Sequence, residues 1–405
     1  MTDGSLRVAV VTSRLDVGGT ERHIAGILPA LKRRGLDIVL YVMERGGPLD
    51  GEIAAQGVRV EGLPNTGFLH WPKATLALAR WLRRERPIVV HFFLPRPYVF
   101  GSLAAELAGH RLRLMSRRSL TDYRAKYPLL GGVEWLLHKR TFGILGNSQA
   151  VVDQLAAEVG DRRKLALIHN GIAMPSPVFT GSRQQTRAVL QIPGDAFVVS
   201  VVANLIGYKG HRDLVEALAL VKNRLPGPWR LLAIGRDDGI GAELKSRAAA
   251  LNIADNIMWL GERSDVDDLL SASDVFVLPS HQEGFSNALL EAMAASLPVV
   301  ATAVGGNSDA VVNNETGLLV PPNNPRALAA AILRLAQDPD LRRGFAETGR
   351  RRVEQLFSLQ ACVDRYEKLY RALVAADRRP VSEILADGTP GLRRDTIVGA
   401  PEHAS

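Results

Sequence analysis

Short apolar runs alternate with helical stretches along this chain of 405 residues, and the alternation occurs twice. The first series starts with the run Arg7–Thr12, a loop containing Gly18-Gly19 and then a helical stretch. A second series starts at Phe197. Strands that are connected through helices form parallel sheets covered on both faces, so their sequences are nearly continuous apolar runs. The pattern predicts an α/β fold class with two doubly wound Rossmann-like domains facing a cleft, where ligands of such folds bind.

The boundary between the two domains is expected at about residues 172–182, which are rich in Pro and Gly. We predict an N-terminal domain over residues 1–172 and a C-terminal domain over residues 183–358. A C-terminal helix is predicted over 359–377 and is expected to pack back towards the N-terminal domain. Residues 378–405 are rich in Asp, Arg, Gly and Pro without periodicity, which predicts a mobile tail.

Composition narrows the class of protein. Apolar residues make up 46% of the chain and charged residues 23%, which is typical of a globular protein. Cys362 is the single cysteine, so no disulfide can form within the chain, and a reducing compartment is expected. The sequence shows no secretory signal and no apolar run near the roughly 20 residues that span a bilayer. We therefore expect a cytoplasmic protein, at most peripheral at the inner face of the membrane.

Positive charge is concentrated in one part of the chain. The formal net charge is +8, and residues 70–140 contain 14 Lys and Arg against 4 Asp and Glu. The same region contains the aromatic residues Trp71, Trp81 and Trp135. Basic and aromatic residues together suit an anionic membrane surface, but solvated helix faces explain them equally well.

The stretch from Pro279 to Glu291 combines features of a phosphate site and a sugar site. A buried strand is predicted at Val275–Leu278, and Ser286 is a good N-cap for a helix that starts at Asn287. The free N–H groups at a helix start attract anions. Glu283 and Glu291 can accept hydrogen bonds from paired hydroxyls. This combination predicts a site for a nucleotide-sugar.

The segment Glu283-Gly-Phe-Ser-Asn-Ala-Leu-Leu-Glu291 resembles the Glu–seven residues–Glu motif of the family-four glycosyltransferases, which are retaining enzymes of the GT-B fold. The resemblance covers about residues 5–375. Other segments that match the family are Gly18-Gly-Thr-Glu, Leu167-Ile-His-Asn-Gly-Ile, Val202-Ala-Asn-Leu-Ile-Gly-Tyr-Lys-Gly, Gly305-Gly306 and Thr316-Gly-Leu-Leu-Val-Pro-Pro.

The resemblance implies a role for each matching residue of the C-terminal domain. Lys209 would neutralise the charge of the leaving diphosphate, Glu283 would contact the donor sugar and Glu291 would hold the ribose hydroxyls. Asn204 stands where the family usually has an arginine, so it offers hydrogen bonds without charge. The expected donor-binding residues are Gly18, Gly19, Asn204, Lys209, Arg263, Glu283, Gly284, Phe285, Ser286, Asn287, Leu290 and Glu291. From the residues alone, a surface lysine and a helix-face glutamate remain alternatives.

The N-terminal domain would position the acceptor, and its catalytic candidates are His91 and Arg118. We expect His91 at the carboxyl end of a strand, although a buried core histidine is an equal alternative. Arg118 aligns with a position at which the family commonly has a histidine. An arginine there could hold a phosphate or a hydroxyl, but it is too basic to accept a proton.

No metal and no cofactor are predicted. The aspartate pairs Asp265-Val-Asp267 and Asp338-Pro-Asp340 stand at helix starts, where aspartate serves as a cap. Metal-dependent sugar transferases of another fold use such pairs on a divalent ion, but here both pairs are interpreted as structural.

The resemblance implies a retaining glycosyltransferase, which we expect to move a sugar from a UDP- or GDP-sugar to a glycan or lipid-linked acceptor in cell-envelope polysaccharide or glycolipid synthesis. A sugar-nucleotide epimerase or phosphorylase on the same fold is one alternative, and a non-catalytic nucleotide or nucleic-acid binder is another. We expect no nucleic-acid partner, because the sequence contains no recognisable nucleic-acid-binding module.

Overall fold

The computed structural model describes residues 7–64, 70–120, 128–175 and 183–386. These residues divide into two compact units. The first unit contains the described residues up to Ala173 and those from Leu356 onwards. The second unit contains the described residues from Met174 to Gln355.

The first unit is built on a seven-stranded sheet with the strand order β3-β2-β1-β4-β5-β6-β7. All neighbouring strands are parallel. Since β1 lies between β2 and β4, the direction in which strands are added reverses there, and such switch points are where doubly wound sheets bind ligands. The strands are β1 (Arg7–Thr12), β2 (Asp37–Arg45), β3 (Arg59–Pro64), β4 (Val89–Phe93), β5 (Arg113–Arg117), β6 (Gly143–Gly146) and β7 (Leu165–Leu167).

The second unit repeats this plan with six parallel strands in the order β10-β9-β8-β11-β12-β13. Its switch point lies between β8 and β11. The strands are β8 (Phe197–Val202), β9 (Trp229–Ile234), β10 (Ile257–Gly261), β11 (Val275–Leu278), β12 (Val299–Thr302) and β13 (Leu318–Val320). The predicted α/β class with two doubly wound sheets is confirmed.

Helices connect the strands in both units. The helices of the first unit are Gly19–Arg33, Leu49–Ala55, His70–Glu85, Pro95–Ala108, Pro128–Arg140, Gln149–Val159, Leu359–Val374 and Val381–Ala386. The helices of the second unit are Arg183–Val189, His211–Val221, Gly241–Ala250, Val266–Ser271, Asn287–Ala294, Asn307–Ala310, Pro325–Gln337 and Pro339–Arg352.

The core explains why the strands read as continuous apolar runs. In β1, Val8 and Val10 belong to one hydrophobic cluster, while Ala9 and Val11 belong to a second cluster. Because successive side chains of a strand point to opposite faces, the two clusters lie on opposite sides of the sheet. Both faces of the strand are therefore buried, as expected for a parallel sheet that is covered by helices.

The C-terminal helix Leu359–Val374 completes the first unit. Its Asp364 forms an ion pair of 2.7 Å with Arg34. A Cβ atom on Gly171 would lie 2.5 Å from Cβ of Cys362, so the helix packs closely on the chain that follows β7. Tyr366 and Tyr370 of the same helix are buried in the hydrophobic cluster that contains Val8 and Val10 of β1.

The chain beyond residue 378 differs from the predicted mobile tail. The helix Val381–Ala386 buries Val381, Ile384 and Leu385 in the first hydrophobic cluster. Gly143 leaves room for Val381, because a Cβ atom on Gly143 would lie 2.4 Å from that side chain. Three apolar anchors in six residues are too few to give a periodic signal in the sequence. The remainder of the predicted tail, 387–405, and most of the predicted linker, 176–182, lie outside the described residues.

Candidate active site

The second unit brings Lys209 and Glu283 together at its switch point. Lys209 lies in the loop after β8, and Glu283 lies in the loop after the neighbouring strand β11. The Lys209 Nζ atom donates a hydrogen bond of 2.7 Å to Oε1 of Glu283. The Ser280 hydroxyl donates a second bond of 2.7 Å to the same oxygen. Glu283 is buried, with 8% of its surface exposed, whereas the Lys209 side chain is 20% exposed.

The two loops are fixed to each other by backbone contacts. The His281 N–H donates to the carbonyl of Tyr208 at 2.7 Å. Gly210 has a φ of +70°. A Cβ atom on Gly210 would lie 2.0 Å from the carbonyl oxygen of Pro279, so only glycine allows this approach. The His281 ring contacts the Asp213 carboxylate at 2.9 Å, which ties the next helix to the same corner.

The helix Asn287–Ala294 begins beside this ion pair. The Ser286 hydroxyl accepts a hydrogen bond of 3.3 Å from the Leu289 N–H, as the sequence predicted for an N-cap. Phe285 and Leu290 are buried at 6% and 0% exposure, so these two predicted donor contacts anchor the helix in the core. Asn287 and Glu291 are partly exposed one helical turn apart, on the same face of the helix.

Gly306 packs against the loop that contains Glu283, Gly284 and Phe285. Its N–H donates to the carbonyl of Gly284 at 3.0 Å. A Cβ atom on Gly306 would lie 2.3 Å from the Phe285 ring and 2.5 Å from the Gly284 carbonyl oxygen. The pair Gly305-Gly306 therefore lets a neighbouring loop pack against the segment that carries Glu283.

Two further predicted donor residues lie away from this ion pair. The Asn204 side chain donates to Asp238 at 3.0 Å, and Asp238 also pairs with Arg236 at 2.7 Å. Arg263 pairs with Asp265 at 2.7 Å beyond the edge strand β10, two strands from β8. Neither side chain contacts Lys209 or Glu283 in this structure.

The first unit presents polar residues at the carboxyl ends of its strands. Gly18 precedes the helix Gly19–Arg33 with an extended backbone conformation, and a Cβ atom there would meet only the flexible end of Glu21. Arg118 follows β5 and is buried, with 9% of its surface exposed. It donates to Oδ1 of Asn170, and its own carbonyl accepts from Asn147 at 3.1 Å. These residues follow β1, β5, β6 and β7, so their positions converge at one edge of the sheet.

The Nε atom of Arg118 has no hydrogen-bond partner among the described residues, and Glu21 is a carboxylate that acts on its charge. Burial lowers the pKa of its guanidinium, while Tyr366, Cys362 and Glu21 act in the opposite direction. Burial also raises the pKa of the nearby Glu21 carboxyl. A buried guanidinium that donates to one amide oxygen, as Arg118 does to Asn170, retains the capacity to bind an anion or a hydroxyl.

His91 is placed differently from the expectation. It lies in the middle of β4, paired with Val10 and Leu114 of the neighbouring strands, and not at the carboxyl end. It is fully buried, and its ring nitrogens contact the hydroxyls of Tyr370 at 2.7 Å and Ser116 at 2.9 Å. Burial, followed by the charge of Arg118, lowers the His91 pKa to about 3. The geometry corresponds to the core-histidine alternative, because no face of the ring is open to a substrate.

The aspartate pairs have local partners. Asp265 pairs with Arg263, and the Asp338 carboxylate accepts a hydrogen bond of 2.9 Å from the Leu341 N–H as a helix cap. Within the described ranges, no group of three or more His, Cys, Asp or Glu side chains is arranged to hold a metal ion. None of the helices in the described part of the chain is long and apolar enough to cross a membrane.

Sequence reasoning missed Ser280, His281 and Asp213. Ser280 fixes the carboxylate of Glu283, while His281 and Asp213 lock the two loops together. The signal for Ser280 was present, because Ser280 lies in the stretch from Pro279 to Glu291 that contains the motif. The contact between Asp213 and His281 joins residues 68 positions apart, and nothing in their spacing indicates it.

The chain is similar to known sugar transferases over most of its length. LpsE of Rhizobium meliloti (strain 1021), a lipopolysaccharide core biosynthesis glycosyltransferase, is 29% identical over 87% of this chain and 95% of its own. The UDP-Gal:alpha-D-GlcNAc-diphosphoundecaprenol alpha-1,3-galactosyltransferase of Escherichia coli is 25% identical over 92% of this chain and 98% of its own.

The fold is also similar to solved structures. Anabaena HepE, solved in complex with UDP, matches 90% of this chain and 100% of its own with a TM-score of 0.80 at 20% identity. A model of group 1 glycosyl transferases matches residues 182–352, and a model of glycosyltransferase family 4 matches residues 17–174. Together the two models cover most of both units, and the chain belongs to the family-four, group 1 glycosyltransferases of the GT-B fold.

Proposed function

We propose that this glycosyltransferase is a retaining enzyme that transfers a sugar from a UDP-sugar or a GDP-sugar to a glycan or lipid-linked acceptor in cell-envelope polysaccharide or glycolipid synthesis. The observation that carries the proposal is the Lys209–Glu283 pair at the switch point of the second sheet. It places a cation and a carboxylate beside the start of the helix Asn287–Ala294. The cation and the helix start can bind a diphosphate, and the carboxylate can accept hydrogen bonds from sugar hydroxyls.

Before a donor binds, Lys209 and Glu283 neutralise each other in an ion pair. Without a donor, Glu283 neutralises Lys209 in a largely buried place, where an isolated charge would be costly. A diphosphate is a stronger partner for Lys209, because it carries more negative charge than one carboxylate. When Lys209 turns to the phosphates, Glu283 would accept hydrogen bonds from the sugar, and Glu291 would hold the ribose hydroxyls.

The proposed reaction breaks the bond between the anomeric carbon and the diphosphate oxygen. The acceptor hydroxyl oxygen forms the new bond to that carbon on the same face, and its proton is transferred to the departing nucleoside diphosphate. Lys209 and the amides of Ser286 and Asn287 would stabilise the charge that develops on the leaving group. Arg118 would hold a hydroxyl or phosphate of the acceptor.

The comparisons support the donor and acceptor classes. The Escherichia coli relative is named for a UDP-galactose donor and a diphosphoundecaprenol-linked acceptor, and HepE was solved with UDP. LpsE is named for lipopolysaccharide core synthesis. A cytoplasmic enzyme at the inner face of the membrane would meet both a nucleotide-sugar and a lipid-linked glycan.

The test is a screen of UDP- and GDP-sugars by thermal shift, followed by a transfer assay with the stabilising donor. Lys209→Met and Glu283→Gln should each lower turnover by at least about 100-fold, since each removes charge or position at the reacting group. Lys245→Met and Glu262→Gln change exposed charges of the same unit and should have no effect. NMR of the product should show a retained anomeric configuration. Full turnover in the Lys209 and Glu283 variants, or an inverted product, would refute the proposed mechanism.

We also propose that the basic region 70–140 attaches the enzyme to anionic membranes. The helix Pro128–Arg140 exposes Val133, Trp135 and Leu136 at 44%, 49% and 48%. Exposed apolar residues next to cations are typical of an interfacial helix. The residues 121–127 that precede this helix lie outside the described residues.

Co-sedimentation with vesicles tests this attachment. Binding should increase with the fraction of anionic lipid and should fall when Trp135 and Leu136 are replaced by Ala. Leu220→Ala, an exposed leucine of the second unit at 57% exposure, is the control and should leave binding unchanged. Binding that does not depend on anionic lipid would count against the attachment.

A further inference from the structure

A cavity of about 370 Å³ opens at the edge of the first sheet that the proposed active site does not use. Arg111 precedes β5, Phe142 precedes β6 and Lys164 precedes β7, so the cavity lies at the amino ends of these strands. Arg118, Asn147 and Asn170 follow the same three strands at their carboxyl ends. The Lys and Arg residues that line the cavity are Arg111, Lys139, Arg140, Arg163, Lys164 and Arg378.

The charge of this lining is strongly unbalanced. Six of the lining residues are Lys or Arg, and Asp161 is the one carboxylate among them. Asp161 is already engaged, because it accepts hydrogen bonds of 3.1 Å from both the backbone and the side chain of Arg163. These bonds lower the Asp161 pKa and hold its carboxylate in that turn. Among the described residues that line the cavity, cations therefore exceed carboxylates by five.

The remaining cations differ in how firmly they are placed. Lys164 donates to the carbonyls of His138 and Lys139 at the end of a helix, and Arg378 donates to the carbonyl of Leu373. Arg111, Lys139 and Arg140 are exposed. The nearest carboxylate to Arg140 is Glu106 at 3.8 Å, outside the cavity. Two cations of the cavity are therefore fixed by hydrogen bonds to the backbone, and three exposed cations are able to turn to a ligand.

Several cations around a small volume attract a compact ligand with more than one negative charge. The volume is within the range of small-molecule sites and too small for a folded partner. Thr141 adds a hydroxyl to the wall, and Phe142 and Pro380 add apolar surface. Phosphate groups on a small headgroup match this lining better than a carboxylate does, because they offer more acceptor oxygens to guanidinium groups.

We propose that this cavity is a second anion site, which binds a phosphate-bearing group separately from the nucleotide-sugar donor. The Nζ atom of Lys139 lies 3.4 Å from the centre of the Trp135 ring, so the cavity adjoins the exposed apolar face of the helix Pro128–Arg140. The phosphate can therefore come from a lipid headgroup at a membrane surface or from a soluble phosphate compound. The chemistry is shared, and the experiment separates the two sources.

The test compares two triple variants of the full-length protein. Arg111→Gln, Lys139→Gln and Arg140→Gln together remove half of the cations of the cavity while keeping Lys164 and Arg378 in their structural bonds. Lys32→Gln, Arg33→Gln and Lys368→Gln together remove the same charge from the same unit, outside the basic region 70–140. Calorimetry with inorganic pyrophosphate, in the presence of saturating UDP that occupies the proposed donor site, measures the soluble source. Co-sedimentation with phosphatidic acid vesicles measures the lipid source.

We expect the cavity variant to bind pyrophosphate at least about tenfold more weakly than the wild type, while the control variant changes little. If phosphatidic acid binding also falls only in the cavity variant, the source is a lipid headgroup; if only pyrophosphate binding falls, the source is soluble. Equal losses in both triple variants, or no binding of either ligand by the wild type, would overturn the proposal. Donor turnover is a separate readout, because both variants retain Lys209 and Glu283.

Discussion

Gly210 lies where the loop of Lys209 packs against the loop of Glu283, the two loops of the proposed donor site. It connects Lys209 to the next helix with a φ of +70°, a conformation that costs an alanine about 1 to 2 kcal/mol. A Cβ atom would lie 2.0 Å from the Pro279 carbonyl oxygen, and real Cβ atoms do not approach closer than 3.0 Å. One of the two loops must therefore move by at least about 1 Å, and overpacking of this kind costs about 1 to 3 kcal/mol.

Gly210→Ala should therefore destabilise the second unit by about 3 kcal/mol and lower its Tm by about 6 to 12 °C. The displacement separates Lys209 from Glu283, and an error of this size in a positioned group can lower turnover by roughly 100-fold. Differential scanning calorimetry and the transfer assay with a UDP-sugar measure the two effects.

The same loop provides a matched control. Gly207 stands three residues earlier, and a Cβ atom there would meet nothing within 4 Å. Gly207→Ala should change the free energy of unfolding by no more than about 0.5 kcal/mol and leave turnover intact. If the two alanine variants had the same Tm and the same turnover, the close approach of the two loops would not matter and this reasoning would be refuted.

Three further predictions follow from buried or charged groups. His91 has a pKa of about 3 in the folded chain against roughly 6.5 unfolded, so the unfolded state takes up the proton first as the pH falls. The stability that is present above about pH 6.5 should be lower by about 2 kcal/mol at pH 5, and His91→Gln should flatten this dependence in urea unfolding. Burial raises the pKa of the Cys362 thiol to about 12, so it should react with thiol reagents only after unfolding, and rapid labelling of the native protein would contradict this. Salt should weaken pyrophosphate binding at the cavity more than UDP binding at Lys209, since only the cavity has an excess of cations; equal slopes in calorimetry would argue against that difference.

The sequence predicted the order of strands and helices well because buried parallel strands leave continuous apolar runs. The runs Arg7–Thr12 and Val275–Leu278 appear in the structure with the predicted bounds. His91 was placed at the end of a strand, whereas the pairing extends to Phe93. A run of consecutive apolar residues gives no signal for where strand pairing stops. The sequence therefore predicts that a strand is present better than it predicts where the strand ends.

Side-chain partners were harder to predict than backbone positions. The N-cap role of Ser286 follows from local geometry and was visible in the sequence. The burial of Phe285 and Leu290 depends on which face of the helix meets the sheet, and one turn of sequence does not fix that face. The cavity at the amino ends draws its cations from four separate segments, around Arg111, Lys139, Arg163 and Arg378, and no spacing relates them.

The contact between Lys209 and Glu283 shows why the charge state of a site needs the structure. Taken separately, the two residues indicate a cation for phosphate and an acceptor for sugar hydroxyls. Together at 2.7 Å they form a neutral resting pair, which avoids the cost of a buried lone charge before the donor arrives. Under the proposed function, the donor would separate the pair: its diphosphate would replace Glu283 as the partner of Lys209, and its sugar hydroxyls would replace Lys209 as the partner of Glu283. A nucleoside diphosphate without a sugar would satisfy Lys209 but not Glu283, so the complete nucleotide-sugar is the proposed ligand that would suit both.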